Sequence, residues 1–422
     1  MSRGLKGHSG PTRKLLRSGI IFAAIQFVTG LGNLAFQGVM GRHLSGQGQY
    51  GDANSAISGF MPLLGLLPQV AIFTVTHYIA HFDSSGDRAR LQGLLLGCRS
   101  FLFWFTVAGS ALAVIVIKPL SDFFHFSGSL MLVTLGCALF GLWGAFIAAL
   151  CQGLAWFKRL ALIGFLAMVL RVSFGWIITL KWPSAETAVL ASGFALLANL
   201  VLLFWKKDLS LHGAPVPPWN REFVQYLIVS AACVVGGYCF FQGDLLVAKK
   251  FFVKSELDAY TAAGILARAL PWAVAPLLAV LFTSRSGRRV GGIVADQLKL
   301  MGLSGLVLIL GATCLFVLRA PCLQLLSRNT PATADMVCQF SITMVFVGLL
   351  QSLAYWALAS RWSKMSLLYG GLGLGYWLTL LVVGHTPAAL LQTMPVASGT
   401  AFIILFLVWL VTLRRHKPSA QS

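Results

Sequence analysis

Two arginines stand where charge is hardest to hold. Arg171 lies in LAMVLRVSFGW and Arg268 in AGILARALPWA, each deep inside an apolar run. A guanidinium keeps its proton in any protein environment, so neither side chain can relay protons and both can hold an anion. The alternative role for each is to cap a helix end or bond a neighbouring carbonyl. At 100° per residue, Thr261, Gly264, Arg268 and Trp272 share one helical face. A second polar stripe runs through Gln26, Thr29, Asn33 and Gln37, and a third through Ser55, Ser58, Pro62, Gln69 and Thr76. A polar stripe on an apolar helix faces either a hydrated cavity or another helix. Three of them favour a central polar cavity. Pro62, Pro68, Pro271 and Pro276 remove backbone donors at depth, where helices bend around such a cavity or simply kink.

All twelve acids fall in loops or at the edges of apolar runs. Asp244 comes nearest to being a membrane carboxylate, which makes it the candidate coupling residue. There is no Ser-His-Asp set, no HExxH and no GxxxxGK[ST], so no enzyme activity and no cofactor are expected. His77 and His81 sit one helical turn apart without a third ligand nearby, so no metal site is expected and an interfacial role is. The eight cysteines form no CxxC pair and read as small buried hydrophobes.

The elements that must position these residues are membrane helices. Of 422 residues, 57% are hydrophobic and 10% charged, with a mean hydropathy of +0.81; soluble domains carry roughly 25% charged residues. Apolar runs long enough to cross a core of ~30 Å as helices recur at 18–40, 53–80, 99–117, 130–156, 160–180, 187–205, 223–243, 260–282, 300–318, 335–360, 365–384 and 396–413. The run after Arg17 is too long for the core of a cleavable signal and reads as the first span. A net charge of +20 would point to nucleic acid in a soluble protein. Here the bases punctuate the spans, and no nucleic-acid partner is expected. Apart from Arg171 and Arg268, twenty-two bases fall on one side of the alternating loops and eight on the other, which places both termini in the cytoplasm.

The expected fold is an all-α polytopic membrane protein of about twelve helices. A basic cytoplasmic segment (1–17) leads into a six-helix lobe (18–205), a proline-bearing cytoplasmic linker (206–222), a second six-helix lobe (223–413) and a cytoplasmic tail (414–422). Two weak internal matches support a 6+6 repeat: Gln152-Gly153-Leu154-Ala155-Trp156 against Gln351-Ser352-Leu353-Ala354-Tyr355, and Tyr50-Gly51-Asp52-Ala53 against Tyr260-Thr261-Ala262-Ala263.

The run Asp244-Leu245-Leu246-Val247-Ala248-Lys249-Lys250-Phe251-Phe252, followed by Tyr260-Thr261-Ala262-Ala263 and Arg268, resembles the helix seven to eight junction of the polysaccharide transporter family. Gly41-Arg42-His43-Leu44 through Tyr50-Gly51 is similar to that family's first outer loop. The family belongs to the multidrug/oligosaccharidyl-lipid/polysaccharide exporter (MOP) superfamily. The resemblance implies a flippase that moves a lipid-linked oligosaccharide across a bacterial plasma membrane by alternating access, with two lobes around a cationic cavity. It carries Arg42, Lys249, Lys250 and Arg268 over as substrate-binding positions. Arg171 is added on burial alone, and Gln26, Asn33, Gln37, Thr261 and Trp272 from the polar stripes. The implied partners are the lipid-linked oligosaccharide, membrane lipid, and a glycan polymerase or export machinery. Helix one lacks the acid typical of the drug-exporting branch. Two rival classes are a major-facilitator-type carrier of small anions and a membrane glycan polymerase or ligase. The first has only a poor motif match in Asp83 to Arg88, and the second lacks a long outer loop.

Overall fold

The computed structural model describes residues 10–44, 48–199, 221–285, 293–328, 330–360 and 362–415. Within them the chain forms twelve helical segments. The first lobe holds α1 (Gly10–His43), α2, α3 (Arg88–Phe124), α4 (Gly128–Gly153), α5 (Phe157–Lys181) and α6 (Ala185–Ala195, continued by the 3-10 turn Leu196–Asn199). The second holds α7, α8 (Lys254–Arg285), α9 (Ile293–Leu325), α10 (Pro331–Ala359), α11 (Ser363–Val383) and α12 (Pro387–Arg415). Two helices are interrupted. Helix α2 comprises Gln49–Asn54, a π-helical turn Ser55–Phe60, Met61–Leu64 and Leu66–Ser85, with a bend of 52° between its halves. Helix α7 comprises Arg221–Phe241 and Gly243–Phe251, broken at Gln242.

The helices begin where the chain supplies oxygen for orphan amides. The Asp87 carboxylate accepts from the Arg90 amide before α3, and the Ser127 hydroxyl from the Leu130 amide before α4. Ser184 and Thr187 form a reciprocal capping box at α6, and Thr330 caps α10, whose first residue is Pro331. Caps explain why several helices outrun their apolar windows: α3 starts at Arg88 rather than near residue 99 because Asp87 caps it there. Among the described residues, eight helices are long and apolar enough to cross a bilayer, and α2 joins them if its two halves count as one span. Large apolar side chains point outward: Val114 on α3, Val317 on α9 and Val382 on α11 are each more than 70% exposed. Such an exterior belongs in lipid. The chain is a multi-pass membrane protein.

The bend in α2 falls between Pro62 and Pro68, as the sequence allows. Helix α8, by contrast, runs unbroken across Pro271 and Pro276. The segment 244–251, expected to follow the end of helix seven, is a helix of its own, so Lys249 and Lys250 sit on its last turn. Most of the linker 206–222 lies outside the described residues, as do 1–9 and 416–422; Arg221 and Glu222 already belong to α7.

Candidate functional site

Arg268 is locked. Its Nη2 donates to the Asp244 carboxylate and its Nε donates to the Phe241 carbonyl at 2.9 Å, with the guanidinium 5.5 Å from the centre of the Phe340 ring. Tyr260, fully buried one turn into α8, donates its hydroxyl to the same Asp244 oxygen at 2.7 Å. Asp244 is fully buried and Arg268 nearly so. The break in α7 makes this possible, because it frees the Phe241 carbonyl and turns the first residues of Gly243–Phe251 toward α8. Asp244 Oδ1, Arg268 Nη1 and the Tyr376 hydroxyl have no hydrogen-bond partner among the described residues. A Cβ on Gly264 would lie 2.4 Å from Arg268 Nη1, so glycine there makes room for the guanidinium. Thr261 is buried and donates back to the Leu257 carbonyl. Trp272 departs from this buried face and is 47% exposed.

Arg171 is held differently. Its Nε and Nη2 donate to the Ser192 hydroxyl at 3.1 and 2.9 Å, its Nη1 donates to Asn33 Oδ1 at 3.2 Å, and its guanidinium lies 4.8 Å from the centre of the Phe36 ring. Three helices, α1, α5 and α6, meet here. No carboxylate among the described residues pairs with it, and it is only partly buried. Two of its five N–H groups have no acceptor among the described residues.

The stripe on α1 turns toward its own lobe. Asn33 meets Arg171, and Gln37 accepts from the Tyr50 hydroxyl at 3.3 Å. Gln26 is in α1, but its side chain falls outside the description. The stripe on α2 divides: Ser55 is buried in the π-helical turn, Thr76 donates to the Ala149 carbonyl at 3.3 Å, and Gln69 is exposed. These contacts join helices within a lobe.

The remaining candidates gather at one end of the bundle. Arg42 is exposed at the end of α1. Lys249 is nearly buried, pairs with Asp52 and lies 4.8 Å from the centre of the Phe126 ring. Lys250 Nζ lies 4.3 Å from the centre of the Phe123 ring. His77, expected at the membrane interface, is buried and stacks on Tyr226 of α7 at 4.4 Å; His81 is exposed. Seven of the eight cysteines are buried or partly so, and Cys314 is exposed.

Sequence reasoning missed Asp258, Tyr50, Ser192 and the role of Arg328. The pairing of Tyr50 with Tyr260 in the internal repeat was the available signal. Each is fully buried near the start of the second helix of its lobe, and each bonds a polar residue of the preceding helix, Gln37 or Asp244.

The fold recurs in solved structures. An outward-facing multidrug resistance MATE family transporter of the MOP superfamily aligns with a TM-score of 0.70 over 98% of this chain and 99% of its own, at 14% identity. An inward-facing structure of such a transporter aligns at 0.70 over 95% and 99%, at 15% identity. The chain shares the fold of these transporters. A MOP superfamily transporter from Pyrococcus furiosus, described as having a binding pocket of reverse polarity that suggests a different function, aligns at 0.66 over 96% and 98%, at 14% identity. The solved proteins are transporters, not enzymes. No protein-family model and no curated protein matches the chain.

Proposed function

We propose that the chain is a transporter that carries the anionic head group of a lipid-linked oligosaccharide across the plasma membrane by alternating access. The observation that carries the anionic part of this reading is Arg171. A guanidinium near the middle of α5, without a carboxylate among the described residues, is an expensive charge to leave uncompensated. A bound phosphate or diphosphate would compensate it, and the planar fork suits that ligand. Arg268 has its counter-charge in Asp244, so it serves the coupling machinery rather than first contact with substrate. Export of a cationic drug is disfavoured by the same pairing, since it leaves no buried acid without a basic partner among the described residues.

The resemblance of the two junction segments to polysaccharide transporters supports the lipid-linked glycan, the bacterial inner membrane, and a glycan polymerase or export complex as partner. The occurrence of this fold in outward- and inward-facing forms supports alternation. With both termini in the cytoplasm, outward movement of a diphosphate runs down an inside-negative potential. At ~2.3 kcal/mol per charge per 100 mV, two charges crossing the full field would contribute ~4–5 kcal/mol.

The test is reconstitution of the full chain in liposomes holding a polyprenyl diphosphate oligosaccharide, with exposure of the glycan read by an impermeant lectin or glycosidase. Protein-dependent exposure, enhanced by an imposed potential, is the expected result. Exposure no faster than in empty liposomes, with a folded protein present, would remove the lipid-linked glycan as substrate.

A further inference from the structure

The end of the bundle that holds Lys249 is where the two lobes are fastened by charge. Asp258, near the start of α8, sends its carboxylate across to the first lobe. There Oδ2 accepts from the Gly48 amide at 3.2 Å and Oδ1 from the Gly51 amide at 2.7 Å. Gly48 is the N-cap of α2, with φ of 79°, and has no side chain of its own to cap with. The second lobe therefore caps a helix of the first. The reverse charge does the same for the neighbouring helix end. Arg328, after α9, donates its Nη2 to the carbonyl of Leu44, just past the end of α1, at 3.0 Å, and lies 3.7 Å from Asp258 Oδ2. An acid on a helix N-terminus and a base on a C-terminus both complement the helix dipole. Lys249 adds its pairing with Asp52, one residue beyond Gly51.

The backbone is shaped for this approach. A Cβ on Gly41 would lie 2.1 Å from the Leu326 carbonyl oxygen, and one on Gly51 would lie 2.8 Å from Leu257 and 2.9 Å from Asp258 Oδ1. Glycine at both positions lets the end of α1 and the start of α2 seat against the second lobe. At the other end of the interface the lobes meet through rings instead, with His77 on Tyr226 and Tyr78 beside Phe223 at 5.1 Å.

We propose that Asp258, Arg328 and Lys249 form a latch that holds the outer end of the transport path shut, with Asp258 as its gating residue. Separation of α1–α2 from the second lobe at this end breaks the contacts of Asp258 with Gly48 and Gly51, of Arg328 with Leu44 and of Lys249 with Asp52, together with the packing of Leu246 at Gly59 and Leu257 at Gly51. Helix α8 also carries Tyr260 and Arg268, and Gly243–Phe251 carries Asp244 at its first turn and Lys249 at its last. A change at the buried ion pair therefore moves the same two helices that close the latch. The proposal rests on the alternating-access reading and on the outer placement of this end, and does not depend on which substrate is carried.

The experiment uses full-length protein in right-side-out membrane vesicles with Leu257→Cys as reporter. Leu257 is buried against Gly51 across the interface. Its labelling by an impermeant maleimide is read against the same variant lacking the reporter. Loss of one helix cap shifts a two-state equilibrium by up to about tenfold. Asp258→Ala is expected to raise the labelling rate by about that factor. Asp52→Lys should raise it too, and adding Lys249→Asp should return it. Unchanged labelling in Asp258→Ala at normal abundance overturns the latch. If that variant does not accumulate, the charge swap decides: no rise on the single reversal, or no return on the double, overturns it. Flat labelling with glycan exposure intact sinks only the latch; a responsive latch without glycan exposure sinks only the substrate.

Discussion

Arg268 and Asp244 form a buried ion pair, one residue on α8 and the other at the break in α7. Tyr260 donates to the same carboxylate, and the Phe241 carbonyl accepts from the guanidinium. Removing one partner of such a pair leaves a charge without compensation, at a cost of about 3–5 kcal/mol. Arg268→Ala and Asp244→Leu should each lower membrane abundance and the detergent-solubilised melting temperature. The double variant Asp244→Leu/Arg268→Met should recover most of that stability while remaining inactive. Abundance unchanged in Arg268→Ala, with transport lost, would show an arginine that holds substrate directly.

Arg171 predicts the opposite pattern. Its partners are a hydroxyl and an amide, and Ser192 also donates to the Ala188 carbonyl at 3.3 Å. Arg171→Ala should leave the protein in the membrane yet reduce transport per unit of folded protein by about 10–100-fold, the equivalent of a charged hydrogen bond worth 1.5–3 kcal/mol. Arg171→Lys should recover only part, since an ammonium keeps the charge and loses the fork. Wild-type transport in the Ala variant would take Arg171 out of the path.

Sidedness is tested without any substrate. Cysteines placed at Ser84 should react only from the cytoplasm, and those at Ser127 or Thr386 only from outside. Labelling of Ser84→Cys from outside would invert the charge-based topology and with it the outer placement of the latch.

The spans and their count were legible because hydropathy reports the part of each helix at hydrocarbon depth. The ends were not, because caps such as Asp87 and Thr330 set them outside the apolar window. Arg171 and Arg268 were legible as charges inside apolar runs, and nothing in their spacing distinguished them. What separates them is Asp244, brought to Arg268 by a break at Gln242 that no proline announces. The two segments that resemble polysaccharide transporters were visible as separate runs. That they touch, through Gly48 and Gly51 on one and Asp258 beside the other, is a contact between positions about two hundred residues apart, which periodicity cannot register.

The last prediction concerns pH at the latch. Burial pushes the Asp258 carboxyl above its ordinary 3.8, against the opposing pull of the Gly51 amide, Arg328 and the Gly48 amide, while Asp52 reinforces the rise. Once the latch opens, the carboxyl returns to water and toward its ordinary value. The closed form therefore binds the proton more tightly than the open one. Acid favours closure; that preference is fully present below the ordinary value and is lost as pH rises through the raised one. The charged and titratable groups facing Asp258 are Arg328, Asp52 with Lys249, and Tyr50, and the stem of Lys254 packs at Gly48. Labelling of Leu257→Cys, normalised to Ser127→Cys to remove the thiol's own pH dependence, should rise as the outer pH is taken from about 4 toward neutral. The rise should persist in Asp52→Asn and vanish in Asp258→Asn. A profile that is flat in the parent protein, or one that falls as the pH rises, would separate the latch from any proton and leave it a purely mechanical closure.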